Sequence, residues 1–417
     1  MHRRQYVGTL FSLGIAGFAG CSAIDTDLTD SNGSDSNTPD GAQNSETNII
    51  VTDLSVSETT ITVGDSIRVV VTVENTAEES DEKRVTLHVN QAVWESRDVS
   101  LAGNGSETLD FEVDIEEPMV YTIVVEDFEE EVEAVATEVS GQITSDTTWS
   151  VSDGPYLITD TIQVPEGVTL TIDPGVTVWA SEDIGRDSLF LLHGEIIAEG
   201  TSSNPIRMDG NAMTGTFFDA DGSTPETFLS AEHCVFQDGG EFWMRGPGGF
   251  DLKHSELREM GPSYIWYPYL DTTREFTPPR TEINIEYNSF IDSGGFSVGL
   301  RSNQGQDDPT QVNIRYNRFE GWMETIRGGL LNNWNSRGDS EMVVEYNSFI
   351  DMTDHIVLSL PEGYDNAALS APNNYWGTTD ESTVEGMIYD ERDDINSAGT
   401  IDYTPILDKP HPDTPTQ

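Results

Sequence analysis

A short pattern recurs in the C-terminal half of the chain and restricts its fold more than any other feature. Ile285-Glu-Tyr-Asn288-Ser-Phe290-Ile-Asp292 returns as Ile314-Arg-Tyr-Asn317-Arg-Phe319-Glu-Gly321 and as Val344-Glu-Tyr-Asn347-Ser-Phe349-Ile-Asp351. The asparagines stand 29 and 30 residues apart. Ala231-Glu-His-Cys234-Val-Phe236-Gln-Asp238 and Leu252-Lys-His-Ser255-Glu-Leu257 read as decayed copies. A period of this size signals a solenoid, a propeller or an array. One short strand around Tyr-Asn-x-Phe per period, with loops between, predicts a parallel β-helix. Each rung would bury its Phe and aliphatic residue against the next. Asn288, Asn317 and Asn347 are expected to be structural. Asn tolerates the backbone angles of tight turns, and stacked amides bond to one another as asparagine ladders do. Cys234 and Ser255 at the same position predict a capped or broken end of that ladder.

The wider region, residues 138–408, shows short alternating strands and no helical period lasting three turns. Its opening, TWSVSDGPYLITDTIQVPEGVTLTIDPGVTVWA, resembles the first coils of surface β-helix domains. APNNYWGTTD (Ala371 to Asp380) with Ile401 to Leu407 looks like their closing coil. The resemblance is to right-handed parallel β-helix proteins, and it implies a right-handed solenoid. That fold carries lyases, hydrolases and binding proteins alike, so it does not choose an activity.

Residues 49–137 differ. Val69, Val71 and Val73 alternate with polar residues, as do Val85, Leu87 and Val89, with turn signals such as Gly64-Asp65 and Gly103-Asn104-Gly105 between the runs. Short strands at this spacing predict an antiparallel β-sandwich. The order of segments from VSETTITVGDSIRVVVTVENT to YTIVVED resembles the CARDB family of immunoglobulin-type modules. The expected fold class is therefore all-β: an antiparallel sandwich followed by a parallel β-helix, with 409–417 a disordered tail.

The N-terminus reads as an export signal over residues 1–21. Arg3 and Arg4 precede the uncharged run Tyr6 to Gly20, which is too short for a membrane span of about 20 apolar residues. The paired arginines resemble a twin-arginine signal, and Phe18-Ala19-Gly20-Cys21 resembles a lipobox. That resemblance implies a lipid on Cys21 and a place on the outer face of the membrane, the alternative being a secreted protein. Residues 22–48 are polar and acidic, and cannot bury enough surface to order themselves. Cys234 is the one other cysteine, so an acylated Cys21 leaves no intrachain disulfide. Two cysteines are also too few for a thiolate zinc site.

Charge bounds the partners. The chain carries 20 Lys and Arg against 75 Asp and Glu, a net −55. Such self-repulsion opposes a compact state at low salt; at 1 M salt the Debye length is only about 3 Å. The balance resembles haloarchaeal proteins, and that resemblance implies a salt-dependent, halophilic fold. Phosphate backbones would be repelled, which excludes nucleic acid as a main partner.

Chemistry-bearing residues are dispersed. Asp238, Asp292 and Asp351 share a repeat position, but Gly321 interrupts the column where a carboxylate pair needs adjacency. His193, His233 and His254 form no HxxxH or HxH pair. No cofactor is expected, although Asp307-Asp308 and Asp393-Asp394 offer oxygen ligands of the kind calcium takes. The densest aromatic cluster is Tyr264, Trp266, Tyr267 and Tyr269, in the long interval from Arg258 to Arg280. It reads as a loop able to stack on sugar faces, the alternative being that its rings fold back and cover the side of the β-helix. Phe242-Trp243 with Arg245, and Trp322 with Glu324 and Arg327, would extend it. The expected function is non-enzymatic presentation of this surface to a polysaccharide or envelope protein. The rivals are a polysaccharide lyase or glycoside hydrolase on the same scaffold, and a ligand-delivering lipoprotein, for which ligand residues are missing.

Overall fold

The computed structural model describes residues 47–181, 184–211, 213–220, 227–245, 250–267, 282–300, 310–321, 329–333, 340–360 and 367–416. Arg3, Arg4, Cys21 and the acidic stretch up to residue 46 lie outside them. Asn48–Gln417 forms one compact unit. It is all-β: one short helix, Glu381–Gly386, occurs among the described residues.

Two sheets build the N-terminal part. Ile49–Val56, Ser66–Asn75 and Ser106–Asp114 form one, antiparallel throughout. The other runs Thr60–Thr62, Phe128–Val135, Val120–Val125, Asp81–Val89, Ala92–Leu101. Alternate residues point inward, as the period of two dictates: Val69, Val71, Val73, Val85, Leu87 and Ile123 are fully buried in one shared core. One pairing departs from the antiparallel expectation, because Thr60–Thr62 lies parallel to Phe128–Val135.

From Thr137 onward the strands are parallel and fall into three columns. The first holds Thr147–Trp149, Thr169–Ile172, Glu195–Glu199, Phe228–Glu232, Phe250–Lys253, Glu282–Glu286, Thr310–Arg315, Ser340–Glu345 and Ala367–Ser370. In the second, Thr137–Gln142 pairs with Tyr156–Val164, and Ser289–Ile291 lies between Glu256–Arg258 and Arg318–Glu320. The third includes Thr216–Ala220, Glu241–Arg245, Ser263–Tyr267 and Phe296–Leu300. The chain visits the columns in turn, so each strand meets its counterpart one repeat later. Only Ala136 separates the last sandwich strand from the first column strand. Trp179, in the second column, packs against the sandwich core.

The repeat's Phe residues line the interior. Phe290 stacks on Phe319 at 4.6 Å, Phe319 on Phe349 at 5.3 Å, and Phe349 meets Trp376 at 5.0 Å. Each such pair adds about 0.5–1.5 kcal/mol beyond its buried area.

Two turns recur on the rungs from His233 to Asp351. Between the first and second columns the residue before the asparagine takes the left-handed conformation: φ is 49° at His233 and His254, 60° at Tyr287, 56° at Tyr316 and 60° at Tyr346. The asparagines were expected to take the unusual angle, and they do not. The Tyr or His makes the turn with its ring outward, which brings the Asn side chain inside. Between the second and third columns the turn residues are Asp238, Glu259, Asp292, Gly321 and Asp351, all with positive φ. Asp and Gly are favoured there for backbone reasons. That accounts for the aligned aspartates and for Gly321 among them without any catalytic role. Entry to the third column is tighter still: a Cβ on Gly240 would lie 1.6 Å from the Gly215 carbonyl oxygen of the previous rung.

The tail also departs from expectation. Residues 409–416 are placed against the columns: Thr414 is buried, and its hydroxyl donates to the Tyr346 carbonyl at 3.2 Å.

Candidate functional site

The asparagines form a continuous chain through the interior. Asn288, Asn317, Asn347 and Asn374 are each 0% exposed. The Asn288 side-chain amide donates to Asn317 Oδ1 at 3.0 Å, Asn317 to Asn347 Oδ1 at 3.0 Å, and Asn347 to Asn374 Oδ1 at 3.1 Å. The same oxygens accept the backbone N–H of Asn288, Asn317 and Asn347. At the other end, Ser255 N–H donates to Asn288 Oδ1, and Cys234 N–H to the Ser255 hydroxyl. Ser255 thus continues the column with a shorter group, and Cys234 ends it. Burial pushes the Cys234 thiol up, so it stays protonated. Asn374 belongs to this column, but its neighbours Asn373 and Tyr375 break the Tyr-Asn-x-Phe spelling and hide it in the sequence.

The surface candidate lies on the outer face of the third column. In Glu241–Arg245, Phe242 and Met244 point into the core, which leaves Glu241 and Trp243 on the opposite face. Phe242 therefore cannot belong to a binding surface. Trp243 stands opposite Asp219 on one side and Tyr264 on the other. The Trp243 and Tyr264 rings meet edge to face, 5.2 Å apart at 66°. The Trp243 indole N–H donates to the Glu241 carboxylate. Partial burial raises the Glu241 pKa, and that hydrogen bond opposes the rise only in part.

Tyr264, Trp266 and Tyr267 are not on a loop: they belong to the strand Ser263–Tyr267, in register with Phe296–Leu300. Tyr264 thereby sits beside Trp243 on that face. Register places Trp266 opposite Arg245 and Gly299. Tyr269, Trp322, Glu324, Arg327 and Asp307-Asp308 lie outside the described residues. The nearby Glu241 was missed in sequence because acids are so common in this chain; only its place two residues before Trp243 on one strand face marks it.

The remaining candidates have local roles. Asp393 accepts the Asp390 N–H at 3.2 Å, and Asp394 accepts the Asn396 N–H at 2.9 Å, so both hold turns. Among the described residues no three His, Cys, Asp or Glu side chains gather as a metal-binding group. His233 stacks on His254 at 5.0 Å, and His254 on Tyr287 at 4.8 Å. Burial, then the neighbouring His233, lowers the His254 pKa. His193 turns the chain from the third column, its N–H bonded to the Val164 carbonyl.

No family model matches the chain, and no curated protein matches it. Among solved structures, a β-glucosidase from Erythrobacter marinus is similar over 21% of this chain and 16% of its own length, at 18% identity and a TM-score of 0.21. A β-glucosidase from Listeria innocua in complex with gluconolactone is similar over the same shares, at 18% identity and a TM-score of 0.19. The matched part thus spans 16% of either enzyme. Similarity at this level carries no inference about fold or activity.

Proposed function

We propose that this chain is an exported surface protein, anchored through a lipid on Cys21, in which a CARDB-like sandwich carries a right-handed parallel β-helix whose flank binds a polysaccharide. The observation that supports it is the Trp243–Tyr264 pair on adjacent parallel strands. Aromatic rings on a rigid face offer apolar area at low ordering cost, with Glu241 and Asp219 beside them to accept sugar hydroxyls. Binding to a glycan array in molar salt is expected for the wild type. Trp243→Ala and Tyr264→Ala should each weaken it by about tenfold, the equivalent of 1.4 kcal/mol. A wild type that binds no glycan ends this reading.

The alternative, a glycoside hydrolase, draws on Glu241. A carboxyl with a raised pKa is suited to act as a general acid, and Asp219 on the next strand would serve as its partner. Glu241→Gln separates the two readings. Reducing sugar released by the wild type and lost in Glu241→Gln, with binding kept, favours the enzyme.

Export and environment have their own measurements. Mass spectrometry of the mature protein should show a chain that begins at a lipidated Cys21, and Cys21→Ala should shift it to the medium. With a net charge of −55, the unfolding midpoint should rise steeply with salt, and the fold should be lost on desalting. Equal melting temperatures in low and molar salt would contradict a halophilic fold.

A further inference from the structure

The rungs carry a second aromatic column, on the outside and away from Trp243. His233, His254, Tyr287, Tyr316 and Tyr346 follow one another at centroid distances of 5.0, 4.8, 4.9 and 5.2 Å, all within 16° of parallel. Stacked this way they turn their edges to solvent, and ring edges attract the faces of other rings. The chain supplies such a face itself. His411 lies 5.2 Å from Tyr316 and 5.0 Å from Tyr346, tilted by 58° and 59°. Thr414 is 5% exposed and bonds to the Tyr346 carbonyl. The segment around them, Lys409-Pro-His411-Pro-Asp413-Thr414-Pro415, has three prolines, which favour an extended conformation and lower the entropy lost on docking.

We infer that this column is a docking strip for extended, proline-flanked His peptides of another protein, and that the chain's own segment 409–416 is an exchangeable occupant of its Tyr316–Tyr346 end. Few contacts hold that segment: Lys409, Pro410, Pro412 and Asp413 are exposed, and among 409–416 only Thr414 is buried. Segments so lightly held open at little free-energy cost. Yet their tethering gives them an effective concentration in the mM range for short linkers, which keeps competitors out until they are abundant. Recognition of proline-rich segments by aromatic strips is a recurring mode.

The test uses a fluorescent peptide of residues 408–417 and the full chain. A His411→Ala/Thr414→Ala double variant, with its own segment weakened, should bind the peptide at least about tenfold more tightly than the wild type. Adding Tyr346→Ala to the double variant should abolish binding while the far-ultraviolet spectrum stays that of the folded protein. No peptide binding by a folded double variant overturns the proposal. So does equal binding to the wild type and all variants. Concentration-dependent dimers of the wild type, lost in His411→Ala/Thr414→Ala, would assign the strip to a second copy and overturn the external partner.

Discussion

Asn317→Ala is expected to destabilise the stack by roughly 3–5 kcal/mol, because three buried groups each lose a hydrogen bond and unsatisfied buried groups cost about 1–3 kcal/mol each. Asn317 Oδ1 accepts both the backbone N–H and the side-chain amide of Asn288, and its own amide donates to the Ile285 carbonyl at 2.8 Å. All lie where water does not reach: Asn288, Asn317 and Ile285 are 0% exposed. Chemical denaturation measures the loss, and hydrogen exchange at the Asn288 amide locates it. Asn317→Ser should cost about half as much, since Ser255 already serves in this column with a hydroxyl that accepts one N–H and donates to the Lys253 carbonyl. An Asn317→Ala protein within ~0.5 kcal/mol of wild type would show that the amide chain adds nothing to the fold.

The second large effect is expected at the closing end. Asp390 is 0% exposed and gathers four donors: the Arg392 N–H at 2.8 Å, its guanidinium at 3.0 and 2.6 Å, and the Ile401 N–H at 2.8 Å. Burial opposes ionisation of Asp390, but the hydrogen bonds from Arg392 and Ile401 outweigh it and hold the carboxyl below its usual range. Asp390→Ala strands the Ile401 N–H and the inner side of Arg392. Removing one partner of a fully buried pair costs about 3–5 kcal/mol. Arg392 is 36% exposed, so about 2–3 kcal/mol is expected after screening. The pH dependence follows from the sign of the shift. A carboxylate held low in the folded state stabilises fully above its unfolded value, about 3.9, and loses that contribution as pH falls through the folded value. Wild-type and Asp390→Asn melting temperatures should therefore converge as the pH is lowered below 4. A constant difference across that range would place the effect in shape, not charge.

Periodic features were readable in the sequence, and features that depend on one rung's neighbours were not. Phe290, Phe319 and Phe349 had to face inward together because their spacing matches the period, and they do. The column order follows from the same repeat. The turn angle, however, falls on Tyr287, Tyr316 and Tyr346, since a buried amide can bond along the stack only if another residue makes the bend. Tyr264 and Trp266 looked like loop residues because the interval around them is long. The strand Ser263–Tyr267 occupies its start, and it pairs with Glu241–Arg245, whose residues stand 21 positions earlier in the chain. The docked tail was illegible for a similar reason: a polar segment with one histidine gives no sign that two tyrosines lie in wait 65 and 95 residues earlier.

The asparagine chain has a direction. Every side-chain oxygen receives from the rung before it, and every amide nitrogen gives to the rung after, until Asn374 ends the series on the Val344 and Ala371 carbonyls. Each internal rung therefore presents the same interface above and below. A gene duplication that copies one whole period between Tyr287 and Tyr346 would splice in without a polarity fault and lengthen the column by one strand spacing, about 4.8 Å. A duplication of half a period would bring a strand of one column to the place of another and interrupt the asparagine chain, so insertions fit here only as whole rungs.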